Sequence, residues 1–75
     1  MAKPTSELRY GLIKVCIWQR RSRRESRYSL SVVRLYRNGD QWKESTRLGR
    51  DDIPLVRLAL DEAYTWILTQ QGDSE

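Results

Sequence analysis

The feature that most constrains the fold is an Asn-Gly pair, Asn38 and Gly39, between two runs rich in β-forming residues. An Asn-Gly pair between such runs is the strongest short-range signal for a β-hairpin. The sequence therefore predicts two antiparallel strands that meet at this turn.

Two registers are compatible with the turn. If the loop is Asn38 and Gly39 alone, Arg34 lies opposite Lys43, and like charges directly opposite each other destabilise paired strands. If Asp40 joins the loop, side chains find complementary partners: Tyr36 with Trp42, Arg34 with Glu44, Val32 with Thr46 and Leu30 with Leu48. We predict the second register, because a slip by one residue would exchange the two faces.

This register sorts the hairpin side chains onto two faces. The predicted core face carries Tyr28, Leu30, Val32, Tyr36, Trp42, Thr46 and Leu48, with the Arg34–Glu44 pair as an exception. The predicted outward face carries Ser29, Ser31, Val33, Leu35, Arg37, Lys43, Ser45 and Arg47. The outward face is polar and basic, which makes it a candidate binding surface.

The rest of the chain predicts one more strand and a helix. Residues 10–19 alternate, with Ile13, Val15 and Ile17 on one face and Lys14, Cys16, Trp18 and Arg20 on the other. Residues 53–70 show helical spacing, with Asp51 or Asp52 available to cap the helix and Pro54 tolerated in its first turn. We predict an α+β fold with an antiparallel sheet of three strands, a possible fourth at residues 5–10, and one C-terminal helix packed on it. The chain is expected to form a single domain, 1–75, with an ordered core at about residues 9–71 and polar tails.

The apolar arc of the predicted helix is wider than the ~100° stripe that packing on one sheet requires. A homodimer through this helix would bury the excess. The residues predicted for the dimer interface are Leu55, Leu58, Ala59, Glu62 and Trp66.

Composition excludes several classes of function. The chain has no histidine and one cysteine, Cys16, so neither a Cys/His metal cluster nor an internal disulfide is expected. Helix capping explains Asp51 and Asp52 better than a pair of catalytic carboxylates does. We predict a non-enzymatic protein without cofactor or metal. With no apolar run long enough for a membrane span and no signal-peptide core in its first ten residues, it is expected to be cytoplasmic.

The charge is strongly segregated along the chain. Residues 1–50 contain thirteen Lys and Arg against four Asp and Glu, whereas residues 51–75 contain one against six. The run Arg20–Arg27 alone holds five arginines. So dense an arginine run repels itself and is more often an anion-binding loop than a solvated turn whose charge only aids solubility. The predicted nucleic-acid-binding residues, with Trp18 as a base-stacking candidate or a core residue, are Lys14, Trp18, Arg20, Arg21, Arg23, Arg24, Arg27, Arg37, Lys43 and Arg47.

Residues 36–67 read YRNGDQWKESTRLGRDDIPLVRLALDEAYTWI. Together with the strand from Ile13, this segment resembles a group of short, mostly uncharacterised bacterial proteins that carry a YxxGDxWKE hairpin and an RDDxP helix start. The architecture is similar to the Whirly and positive-cofactor-four superfamily, whose members have four strands before the helix. The resemblance implies dimerisation through the helices and single-stranded DNA binding on the sheet. A three-stranded count is instead similar to the sheet-plus-helix readers of duplex DNA in ethylene-response factors and integrase arm-binding domains.

We therefore predict a nucleic-acid-binding protein, with single-stranded DNA favoured over duplex DNA. The alternative is a protein-interaction or assembly module that uses the apolar helix, with the arginines serving solubility.

Overall fold

The computed structural model describes residues 3–21, 23 and 25–72. Four strands form an antiparallel sheet in the order β1-β2-β3-β4, followed by one helix. The elements are β1 (Ser6–Tyr10), β2 (Ile13–Arg21), β3 (Ser26–Asn38), β4 (Gln41–Ser45), a short 3-10 turn (Arg50–Asp52) and α1 (Ile53–Gly72). The predicted α+β class is confirmed, and the possible N-terminal strand is present.

β1 begins at Ser6, three residues before the predicted start of the ordered core. Its alternation sends Leu8 and Tyr10 toward the hydrophobic core and Glu7 and Arg9 to the opposite face. Gly11, with φ of 58°, then turns the chain into β2. A positive φ strains residues with a side chain, so glycine suits this position.

The β3–β4 register differs from both registers considered above. Asn38 lies opposite Gln41 and Arg37 opposite Trp42, so the turn residues are Gly39 and Asp40. Gly39 has φ of 64°, and no non-glycine residue of the described chain has a positive φ. Glycine with positive φ at the first central position is typical of a type II′ turn. The turn geometry therefore sets the register, and Asn38 is the last residue of β3.

This shift exchanges the two faces of β4. The predicted pairs of Tyr36 with Trp42 and of Arg34 with Glu44 are wrong, because Tyr36 lies opposite Lys43 and Arg34 opposite Ser45. The other two predicted pairs do not form either, since β4 ends at Ser45, before Thr46 and Leu48. The side chains of β2 and β3 point to the predicted sides of the sheet. On β3, however, Leu30 and Tyr36 of the predicted core face are 40% and 38% exposed, and Leu35 of the predicted outward face is 9% exposed.

The core lies between the sheet and α1. Ile13, Val15 and Ile17 of β2 are fully buried against Ala59 and Ala63 of the helix, which are also 0% exposed. Two alanines on the packed face let the helix axis approach the sheet closely. The helix contacts mainly β1 and β2. In its C-terminal half, the ring of Trp66 packs edge-on against the ring of Tyr28 of β3, with 6.2 Å between the ring centroids.

Asp52 holds the 3-10 turn that leads into α1, but not as the N-cap predicted for Asp51 or Asp52, because Gly49 occupies the cap position and no side-chain oxygen caps it. Its carboxylate accepts the backbone N–H of Gly49 at 2.7 Å and the Nε–H of Arg34 at 3.2 Å. The Arg34–Asp52 ion pair ties the helix start to β3 and takes the place of the predicted pair of Arg34 with Glu44.

We expect Asp52→Ala to lower the free energy of unfolding by about 1–2 kcal/mol, because it removes the hydrogen bond to the backbone N–H of Gly49 and a partly buried ion pair. Asp51→Ala is the matched control, since Asp51 and its partner Arg50 are 89% and 92% exposed. Urea denaturation followed by circular dichroism measures both. Equal losses for the two variants would show that Asp52 does not anchor the helix.

Candidate nucleic-acid interface

The sheet face opposite α1, here called the open face, is covered by no helix of the described chain. Strand alternation places on it five basic side chains, two acidic ones and two tryptophans. Its residues are Glu7, Arg9, Lys14, Cys16, Trp18, Arg20, Arg27, Ser29, Ser31, Val33, Leu35, Arg37, Trp42 and Glu44. Cations and aromatic rings on one uncovered surface are a combination that can bind phosphate and stack on bases.

One end of the open face belongs to the β2–β3 hairpin, which extends past the ends of both neighbouring strands. Here Arg20 lies directly opposite Arg27, and both line shallow concavities at the hairpin tip. Like charges directly opposite each other destabilise paired strands. The ion pair of Arg27 with Glu25, at 3.0 Å, relieves part of this repulsion, although the Arg27 side chain stays 78% exposed. An anion placed between the two guanidinium groups would relieve the rest.

Trp18 stands beside this arginine pair, on the same face of β2 and opposite Ser29. It is half-buried and lies outside the hydrophobic core cluster that α1 covers. Of the two interpretations given by the sequence, the structure therefore places Trp18 on the open face, within reach of a ligand there.

Trp42 occupies the other end of the open face and is 59% exposed. The guanidinium carbon of Arg37 lies 5.9 Å from the centroid of its ring, a cation–π contact across the β3–β4 pair. The predicted position of Trp42 on the core face is therefore wrong. The one-residue shift in register moves it to the surface.

An ion pair crosses the open face near Trp42. The Lys14 amine on β2 lies 2.5 Å from the Glu44 carboxylate on β4, so the two side chains meet above β3. Leu35 lies opposite Glu44 on β3 and is only 9% exposed, although α1 packs on the other face. The hydrogen bond to Glu44 raises the pKa of Lys14 above its usual value, although partial desolvation opposes the shift.

The same end of the open face forms a concavity of about 490 Å³. Trp42 and Leu35 supply its apolar surface, and the charged residues that line it are Glu7, Arg9, Lys14 and Glu44. It thus combines an exposed aromatic ring with hydrogen-bonding groups of both signs.

The predicted binding residues divide between the two faces and the hairpin tip. The open face carries Lys14, Trp18, Arg20, Arg27 and Arg37, while Arg21 and Arg23 are exposed at the hairpin tip. Arg24 lies outside the described residues.

Two predicted binding residues are misplaced. Lys43 lies on the face of α1 because the β4 register is shifted. Arg47 lies beyond the end of β4, in a separate concavity with Arg34 and Tyr36 on the helix side of the sheet.

Sequence reasoning missed three residues of the open face near Trp42. Arg9 and Glu7 belong to β1, whose polar–apolar alternation was a usable signal. Glu44 was missed because it was predicted to pair with Arg34 on the core face. Placing Gly39 at the first position of a two-residue turn would have located both Trp42 and Glu44.

The residues predicted for a dimer interface mostly serve the chain's own core. Ala59 is fully buried between the helix and the sheet, and Leu55 and Trp66 pack against the core cluster. Glu62 accepts a hydrogen bond from the hydroxyl of Tyr10, which raises the pKa of that tyrosine. The prediction for Ala59 is therefore wrong. Of the apolar residues among the five, Leu58 is the most exposed, at 53%, whereas Leu55 and Trp66 are half-buried.

The part of the chain that the structure describes contains neither a metal-ligating cluster nor a membrane-spanning helix. No group of three or more acidic or cysteine side chains is placed to hold a metal ion there. No helix among those residues is long and apolar enough to cross a membrane.

The chain matches no protein-family model, no curated protein and no solved structure.

Proposed function

We propose that the chain is a cytoplasmic protein that binds single-stranded nucleic acid, DNA in the first instance, on the open face of its sheet. The observation that carries the proposal is the 59% exposure of Trp42, beside Arg37, on a face with five basic side chains. Burying a large exposed ring is favourable, and nucleobases provide flat apolar surfaces that can cover it.

The open face would contribute two kinds of interaction. At the hairpin end, Arg20 and Arg27 would hold phosphate groups through charge-assisted hydrogen bonds. Trp18 and Trp42 would stack on bases, and stacking on an aromatic residue contributes about 1–3 kcal/mol per base in single-strand binders. A duplex hides the faces of its bases, so stacking favours single strands.

The width of the sheet also favours single strands over duplex DNA. Neighbouring strands lie about 4.8 Å apart, so the outer strands of four are separated by about 14 Å before side chains are counted. The major groove of B-DNA is about 12 Å wide and admits a helix or a two-stranded ribbon. The whole open face is therefore too wide to enter a groove.

The direct test is fluorescence anisotropy with a labelled single strand and its duplex at two salt concentrations. We expect the single strand to bind more tightly, with a slope of log affinity against log salt of about −2 to −4, since each phosphate contact contributes about −0.7. No binding at low salt would overturn the proposal and favour the alternative, a protein-interaction module that uses α1.

One observation favours a second candidate, binding of duplex DNA. Beyond Ile17, the β2–β3 hairpin has no neighbouring strand among the described residues and forms a two-stranded ribbon tipped by Arg20, Arg21 and Arg27. Such a ribbon fits a major groove. Tighter binding of the duplex in the same titration would support this reading over the first.

We also propose a homodimer through α1, with an interface other than the one expected from sequence. Ile53, Leu60, Tyr64 and Leu68 are between 36% and 63% exposed and recur at spacings that put them on one side of the helix. Arg57 and Asp61, one turn apart, lie along the same side. In a two-fold antiparallel helix pair, Arg57 of one copy would meet Asp61 of the other.

Tyr64→Glu is expected to convert the dimer to monomer, because it places a charge in an apolar interface. Sedimentation velocity at tens of micromolar measures the change. Leu58→Glu is the matched control, since Leu58 is similarly exposed on another side of the helix. A monomeric wild-type protein at that concentration would rule out the dimer.

A further inference from the structure

We infer that the end of the open face formed by Lys14, Trp42 and Glu44 selects guanine among the bases of a bound single strand. The inference rests on the proposed function and adds a base preference to it. A surface that attracts phosphate here places a negative charge, the carboxylate of Glu44, on the same face as its most exposed aromatic ring, Trp42.

The geometry provides a stacking surface and a polar edge within one concavity. Trp42 and Glu44 are two residues apart on β4 and therefore point to the same side of the sheet. Leu35 lines the same concavity and adds to its apolar surface. A base stacked on Trp42 would lie next to the pair of Lys14 and Glu44.

The carboxylate of Glu44 has acceptor capacity left over. An ionised carboxylate offers two oxygens with about four lone-pair sites. In the described structure Lys14 donates to Oε2 of Glu44, and the Glu44 side chain remains 49% exposed. The ion pair thus presents, side by side, a donor of hydrogen bonds and a partly free acceptor.

Guanine is the base whose Watson–Crick edge matches this pair. Its O6 accepts hydrogen bonds, whereas its adjacent N1–H and N2–H₂ groups donate them. The ammonium of Lys14 can donate to O6 while the carboxylate of Glu44 accepts from both N1–H and N2–H₂. All three groups of the edge are then satisfied by two side chains that already lie together.

The other bases satisfy fewer of these groups. Adenine and cytosine each present one amino donor to the carboxylate, beside a ring nitrogen that can only accept. Thymine presents one N–H between two carbonyl oxygens, one of which would face the carboxylate oxygens. Burying acceptors against each other is unfavourable because neither finds a donor. The expected order is guanine first and thymine last.

The test compares thymidine decamers that carry one central guanosine, inosine, adenosine or cytidine with the decamer of thymidine alone, by fluorescence anisotropy. Bidentate recognition of a base contributes enough discrimination for a preference of about tenfold for guanosine over thymidine. Inosine keeps O6 and N1–H but lacks the 2-amino group, so its affinity should lie between the two.

Glu44→Gln separates base reading from a structural role. It should bring the guanosine-to-thymidine ratio close to one while raising the affinity for the thymidine decamer, because a negative charge leaves the face and Lys14 is released. A merely structural role would weaken both. Asp40→Asn is the matched control in the turn of the same hairpin and should keep the preference. Lys14→Met, with its fold checked by circular dichroism, should also reduce the ratio.

The outcomes distinguish this inference from the proposed function. Equal binding of all decamers, or a guanosine preference that survives Glu44→Gln in a folded protein, overturns the inference and leaves single-strand binding standing. Absence of binding to every decamer, including thymidine alone at low salt, overturns the proposed function and the inference with it.

Discussion

Ile17→Ala is expected to lower the free energy of unfolding by about 3 kcal/mol or more. This lies within the range found when a buried isoleucine is replaced by alanine and a cavity is left behind. Ile17 is 0% exposed, on the central strand β2 and beneath the two buried alanines of α1. A single domain of this length has a total stability of roughly 4–11 kcal/mol. The substitution therefore removes a large fraction of it, and urea denaturation followed by circular dichroism measures the loss.

The control for this prediction is an aliphatic truncation at the surface. Leu58 is 53% exposed on α1, so Leu58→Ala should change the stability by less than about 1 kcal/mol. The contrast tests the assignment of the core face of β2. A loss at Ile17 no larger than the loss at Leu58 would mean that the helix does not pack on this face.

The second large effect concerns binding. Replacing Arg20 and Arg27 together by alanine is expected to weaken single-strand binding roughly tenfold or more at 0.1 M salt and to reduce the salt slope by about 1.4, or 0.7 for each lost phosphate contact. The same change should leave stability equal or raise it, because two like charges directly opposite each other across the strands are removed. Anisotropy titration and urea denaturation of one preparation measure both quantities.

Because the double variant is expected to bind less tightly without losing stability, a loss of binding can be attributed to the two arginines. A variant that lost binding because it unfolded would lose stability as well. The matched control replaces Lys43 and Arg47 by alanine, which removes the same net charge from residues outside the open face. Equal loss of binding by the two double variants would show that affinity follows net charge alone and not the open face.

Much of the fold follows from local signals in the sequence. Alternation placed Ile13, Val15 and Ile17 on one face of β2, because side chains of a strand point to its two sides in turn. Helical spacing placed the end of α1 within two residues of its observed end. The β3–β4 hairpin was predictable from its turn residues. Each of these features depends on neighbours in the chain, and such information is complete in the sequence.

The register of the hairpin needed more than cross-strand pair preferences. Pairing Tyr36 with Trp42 and Arg34 with Glu44 was a reasonable choice, but each such pair contributes only about 0.2–1 kcal/mol. The turn at Gly39 and Asp40 outweighed them, and Arg34 found its partner in Asp52, eighteen residues along the chain. Because the side-chain period of a strand is two, an error of one residue reversed the whole of β4.

The sequence by itself determined the helix, the β3–β4 hairpin, the buried face of β2 and the concentration of positive charge, but left β1 open. Only the tertiary structure decided which side chains share a surface. It set Arg20 against Arg27, brought Trp42 out beside Arg37, and joined Lys14 of β2 to Glu44 of β4 across the strand between them. These contacts join residues 5 to 30 positions apart and depend on strand register and on the face that α1 covers. Local patterns carry no information on either, so the candidate site became visible only in the folded chain.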